Sequence, residues 1–155
     1  IRDMANINIT ITEADMVATM ESLLWKYGNA IEGAENFKLV YNTKSSKVTN
    51  AVDARVIDDA WETRTQEAIG FLRDFAPDVS ETEGSKVVTL SMSSRWGGSQ
   101  STLKAAMEKY IIDAMMHDWL AATAPNEAPM YGNRLAGDEK KIKAEAYSLR
   151  KPAIA

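Results

Sequence analysis

One histidine and one glycine-bearing loop mark where this sequence could do chemistry. Asp113 and His117 stand four residues apart in an apolar, helix-like run. That spacing puts both on one helix face, where the carboxylate could orient the imidazole as a general base. The same spacing serves a plain structural hydrogen bond, and no nucleophile or oxyanion donor accompanies the pair, so the structural role is expected. The stretch SSRWGGSQS, residues 93 to 101, gathers an Arg, a Trp, two glycines and several hydroxyls just ahead of that run. A phosphate cradle needs several backbone N–H groups aimed into one concavity at a helix N-terminus, usually set by fixed glycine spacing. Neither GxxxxGK with a following Ser or Thr nor GxGxxG is present. Gly97-Gly98 is instead expected to turn a corner through positive φ, with Trp96 anchored on a neighbour. A nucleic-acid surface would need several aromatics interleaved with bases.

The chain has no cysteine, which excludes disulfides, thiolate metal sites and a Cys nucleophile. A single histidine leaves a metal to carboxylates and that one imidazole. No catalytic, cofactor-binding or metal-binding residue is therefore expected, and the protein is read as not an enzyme. The pair Asp58-Asp59 points in two directions on a helix and reads as surface. Charge is polarised along the chain: residues 50 to 83 hold nine acids against three arginines, while residues 134 to 151 hold six bases against three acids. Solvated helix faces explain this, as do two surfaces of opposite sign that meet across a subunit contact.

These residues need elements to position them. Length and composition fit one domain, residues 1–155, able to bury a core without staples. Residues 1–5 read as flexible or as foreign to the natural chain. Residues 7 to 12 alternate as a short strand or an extended arm, and Thr12 opens a helix through Met16, Met20, Leu23, Leu24 and Tyr27, loosened at Gly28 and Gly33. Residues 37 to 49 suggest a hairpin. Asn50 can cap a second helix that runs to Phe75, and its thinned stripe over residues 62 to 67 requires Arg64 or Thr65 to face inward, reach a partner or sit near the domain edge. Residues 77–84 read as an internal linker, and residues 86 to 92 as a strand. Ser99 or Ser101 can cap a long helix whose apolar residues cover most of its circumference, stopped by Pro125. Pro129 fits the first turn of a last helix that runs to Leu149. The fold class is α+β, predominantly α, a bundle of about four helices with one or two short β elements. No run spans a bilayer and no signal peptide is visible, which gives the expectation of an intracellular chain with no membrane contact.

The segment KYIIDAMMHDWLAATAPNEAPMYGNRLAGDEKKIKAEAYSLRKP, residues 109 to 152, resembles small virion proteins of phages and prophages of Bacteroidetes. It shares with them an apolar helix ending in an Asp-Trp-Leu step, a Pro/Asn/Glu break, a Tyr-containing helix and a closing Arg-Lys-Pro. The resemblance implies a head–tail connector or tail-completion protein that works as a ring subunit beside portal or tail components. It implies location in the virion, and in the host cytoplasm during assembly, with a monomer in dilute isolation. Interface candidates are Trp96, Trp119, Lys140, Lys141, Lys143, Asp58, Asp59 and Glu62. Two other functions stay open: a ligand-binding domain or small enzyme using Trp96, Asp113 and His117, and a nucleic-acid adaptor using the basic end formed by Lys140, Lys141, Lys143, Arg150 and Lys151.

Overall fold

A computed structural model describes residues 5–27 and 51–150. The first described element is strand β1 (Ala5–Thr12), which passes without a loop into helix α1 (Glu13–Tyr27). Helix α2 (Ala51–Gly70) is followed by a single 3-10 turn (Arg73–Phe75), and then by strands β2 (Asp78–Thr82) and β3 (Ser85–Met92). Helix α3 (Gln100–Thr123) is the longest described, and α4 (Ala128–Gly132) and α5 (Leu135–Ala146) close the order. The architecture is α+β and predominantly α, as the sequence implies.

Among the described residues the sheet is antiparallel with order β1-β3-β2. Its register sets Ile7 opposite Leu90, Ile9 opposite Val88 and Ile11 opposite Lys86. Alternation along each strand therefore sends Ile9, Ile11, Val88, Leu90 and Met92 into the core, where each is at most 1% exposed. Asn8, Thr10 and the outward residues of β3 face away, and Thr89 Oγ1 donates 2.7 Å to Asn8 Oδ1 there. Helix α3 covers the inner side and packs against β1, α1, α2, α4 and α5. Four consecutive residues, Asp113 to Met116, are buried on it, which is what a helix surrounded by other elements requires. Its start is fixed by Ser99, whose Oγ accepts the Thr102 N–H at 3.2 Å, and its end falls just before Pro125.

Three sequence expectations change. The segment 77–84 is no linker: residues 78–82 form β2, paired with β3 through a two-residue turn at Glu83-Gly84. Gly84 takes φ 74° there, and its carbonyl accepts the Glu13 N–H at 2.8 Å, tying the start of α1 to the turn. Every residue of β2 is exposed, so the strand carries no alternation to read; pairing alone makes it a strand. The second helix stops at Gly70 rather than Phe75, after which Ala76 enters the left-handed region at φ 48° before Pro77. The last helix is broken into α4 and α5 around Asn133 and Arg134. The expected glycine breaks at 28 and 33, the hairpin at 37–49 and the Asn50 cap lie outside the described residues. No described helix is long and apolar enough to cross a membrane.

Candidate functional site

Three polar groupings lie along α3, and each uses up a residue the sequence offered for chemistry. At its N-terminus, the loop from Ser93 to Ser99 is clasped to the chain that follows α5. Gly97 N donates to Ser148 O at 2.8 Å and Arg150 N to Arg95 O at 2.6 Å, flanking a bridge between Trp96 and Leu149. Arg95 Nη2 donates to Arg150 O, and Arg150 Nη2 to Ser94 O, both at 2.7 Å. Trp96 Nε1 donates 2.8 Å to Glu145 O, so the anchor expected of Trp96 is α5. The Glu145 carboxylate reaches back, its Oε2 accepting the Ser99 N–H at 3.2 Å. The anion that a helix N-terminus attracts is thus supplied by the protein itself.

The glycines serve this closure by a different route from the one expected. Neither Gly97 nor Gly98 lies in the left-handed region; a Cβ on Gly97 would stand 3.1 Å from Arg150 N. One on Gly98 would stand 2.6 Å from Trp96 Nε1 and against Glu145 Oε2. Close backbone approach, not positive φ, is what demands glycine here.

In the middle of α3, Asp113 does not bond His117. Its Oδ2 accepts Lys109 Nζ at 2.8 Å, and its Oδ1 lies 3.7 Å from Arg134 Nη1. Asp138, from the first turn of α5, faces it from the other side. The sequence reading passed over Asp138, although a signal existed: Asp138, Ile142 and Ala146 repeat every four residues, so this acid shares the buried face of α5.

One turn further, His117 Nδ1 lies 3.1 Å from Asp118 Oδ1, and its ring packs where a Cβ on Gly132 would stand. Asp118 is gripped by Arg64 of α2, from Nε at 2.8 Å and from Nη2 at 2.7 Å. Arg64 Nη1 reaches Glu67 Oε1 at 2.9 Å, and Tyr110 Oη donates to the same oxygen at 3.1 Å. Burial would lift the Asp118 carboxyl, but the bonds from Arg64 and His117 outweigh it and hold it below the ordinary aspartate value. Asp118 also holds Arg64 above its usual value, against the opposing effect of burial. Arg64, Glu67 and Asp118 line an open cleft of about 480 Å³ together with Val56, Asp59, Ala60 and Thr63. Arg64, Glu67 and Asp118 are bound to one another there, and with Asp59 the lining holds three acids against one arginine.

The remaining interface candidates divide by exposure. Trp119 is 1% exposed and belongs to the core, out of reach of a partner in this conformation. Asp59, Lys140 and Lys141 are exposed, and Asp58 is half-buried. Glu62 binds the buried Lys86 at 2.8 Å. Lys143 binds Glu139 at 2.8 Å and lies 5.5 Å from the Phe71 ring centroid. Arg150 is engaged in the clasp, and Lys151 lies outside the described residues. Trp96, Asp113 and His117 each bind different partners and share no hydrogen bond with one another. Among the described residues, no three His, Cys, Asp or Glu side chains are grouped to hold a metal ion. No family model, curated protein or solved structure matches this chain.

Proposed function

We propose that this chain is a structural subunit of a phage-type particle, a head–tail connector or tail-completion protein, that closes into a ring by head-to-tail contact between copies. The virion part of the reading rests on the resemblance of residues 109 to 152. The contact rests on one observation: α2 presents exposed acids, Asp59 and Glu67, beside the acidic cleft, while α5 presents Lys140 and Lys141 exposed. A closed ring needs two different patches on each subunit that complement one another. Charges of this kind steer and register a contact, and apolar neighbours supply most of its free energy. Exposed apolar side chains are present in Met130, Tyr147 and Leu149.

The test reverses charge on α5 with Lys140→Glu and Lys141→Glu and follows self-association by sedimentation at high protein concentration, at low and moderate salt. Lys143 is left alone because it holds Glu139. Weakened association, restored by Asp59→Lys in the same chain, is the expected result. Association unchanged by the reversal removes the charged contact, and a stable two-fold dimer on the same surfaces removes the ring.

A further inference from the structure

Helices α3 and α5 meet across two carboxyl groups. The side chains of Asp113 and Asp138 are 3% and 6% exposed, and they face each other within hydrogen-bonding reach. Charged groups approach from each element around them. Lys109 of α3 places Nζ 2.8 Å from Asp113 Oδ2 and 3.9 Å from Asp138 Oδ1. Arg134, just before α5, reaches Asp113 at 3.7 Å and lies over the ring of Tyr131 from α4, 4.9 Å from its centroid. Lys141 of α5 adds a more distant positive field at Asp138. His117 of α3 packs on α4 at Gly132 and bonds Asp118.

The cations favour Asp113. Asp138 Oδ2 is buried with no donor beside it among the described residues. Two carboxylates cannot hydrogen-bond unless one of them keeps a proton. Ionised, Asp138 would be a buried anion turned toward a second anion, an arrangement that burial makes costly. Protonated, it can supply the hydrogen that the contact lacks. The lower end of α5 is held independently by the Trp96–Leu149 clasp, so the carboxyl contact governs the upper half of the helix, near Arg134 to Ile142.

We propose that the proton shared between Asp113 and Asp138 is a latch that keeps the N-terminal half of α5 docked on α3, and that losing it loosens this half while the sheet and α3 stay folded. Burial first, then the bond and the charge of Asp113, push Asp138 up to about 7 from the ordinary 3.8. Between those values the folded chain holds a proton that the unfolded chain has released. The latch therefore contributes fully below 3.8 and is lost as pH rises through about 7.

Amide hydrogen exchange on the whole chain, corrected for the intrinsic rate, reads the latch directly between about pH 5 and pH 9. Protection of α5 amides is expected to fall about tenfold or more as pH rises through neutrality, the equivalent of one pKa unit. Amides of β3 and α3 should keep theirs. Asp138→Asn, which keeps the shape and carries a permanent N–H donor, should flatten the α5 profile, whereas His117→Gln should leave it as in the wild type. The carboxyl 13C shift of Asp138 in the wild-type chain gives a midpoint that needs no variant to fold. A midpoint near 7 that coincides with the α5 transition supports the latch. It is overturned by a midpoint in the ordinary aspartate range, by a flat α5 profile in the wild type, by loss of protection in all elements together, by a wild-type profile in Asp138→Asn, or by its disappearance in His117→Gln.

Discussion

Arg64 and Asp118 join α2 to α3 by two parallel N–H···O bonds of 2.8 and 2.7 Å. Their side chains are 17% and 25% exposed, so water screens the pair weakly. Arg64→Met keeps the stem and removes the fork, and should cost about 1.5–3 kcal/mol in denaturant unfolding at neutral pH, as for other hydrogen bonds to charged groups. The pair lowers Asp118 below 3.8, so its contribution is present above that value and is lost as pH falls through the depressed one. The gap between wild type and Arg64→Met should accordingly close in acid. A gap that persists undiminished at low pH would assign the loss to packing.

Trp119 fills the centre of the core at 1% exposure. Trp119→Ala should lower stability by about 3–5 kcal/mol, the usual cost of emptying a large buried aromatic site. Equilibrium unfolding followed by circular dichroism measures it, and a loss under about 1 kcal/mol would mean that the site collapses or that the side chain is not buried in solution.

The glycines of the loop and of α5 should respond in opposite directions to the same substitution. Gly98→Ala pushes a methyl group into Trp96 and Glu145 and should cost about 1–3 kcal/mol as the overpacked clasp shifts. Gly137→Ala meets nothing within 4 Å on an exposed turn of α5 and should add about 0.5–1 kcal/mol by stiffening the helix. Thermal melts of the two variants are sufficient, and equal signs would contradict the clasp geometry.

Lys86 is 2% exposed on the core face of β3, with Glu62 at 2.8 Å and Glu81 at 2.9 Å. Burial lowers its pKa and the two glutamates more than restore it, leaving it above the ordinary lysine value. Both glutamates are more than half exposed, so removing the lysine strands neither of them. Lys86→Met is expected to lie within about 1 kcal/mol of wild type, while Glu62→Gln with Glu81→Gln, which leaves the buried ammonium unpaired, should cost clearly more. Chemical unfolding of both variants checks the asymmetry.

Regular patterns made β1, β3 and α3 legible in the sequence: β-branched alternation for the strands, and Ser99 with Pro125 as boundaries for the helix. The thinned stripe at residues 62 to 67 also read correctly, since Arg64 reaches a partner and Thr65 is fully buried. What failed had its cause outside the local window. β2 is all acids, hydroxyls and one valine on an exposed edge, and only its pairing with β3 makes it a strand. The last helix breaks near Gly132, where a Cβ would strike His117 from another element. Asp113 and His117 do share a helix, as their spacing says, but Lys109, Arg134 and Asp138 claim one and Asp118 the other. An i,i+4 rule names which neighbours are possible; tertiary packing chooses among them.

β1 is paired with β3 and not with the elements next to it in sequence, so Asn8 waits for Thr89, a separation of 81 residues. At a synthesis rate of roughly 5–20 residues per second, the ribosome takes about 4–16 s to deliver the partner. For that interval β1, with Ile7, Ile9 and Ile11 on one face, lacks the strand it pairs with among the described residues. The sheet is completed only when β3 arrives, and β3 must then accept a neighbour on each side. Crowded translation of many copies would favour capture of that edge by another nascent chain, and slower synthesis through residues 85 to 92 would lengthen the exposure.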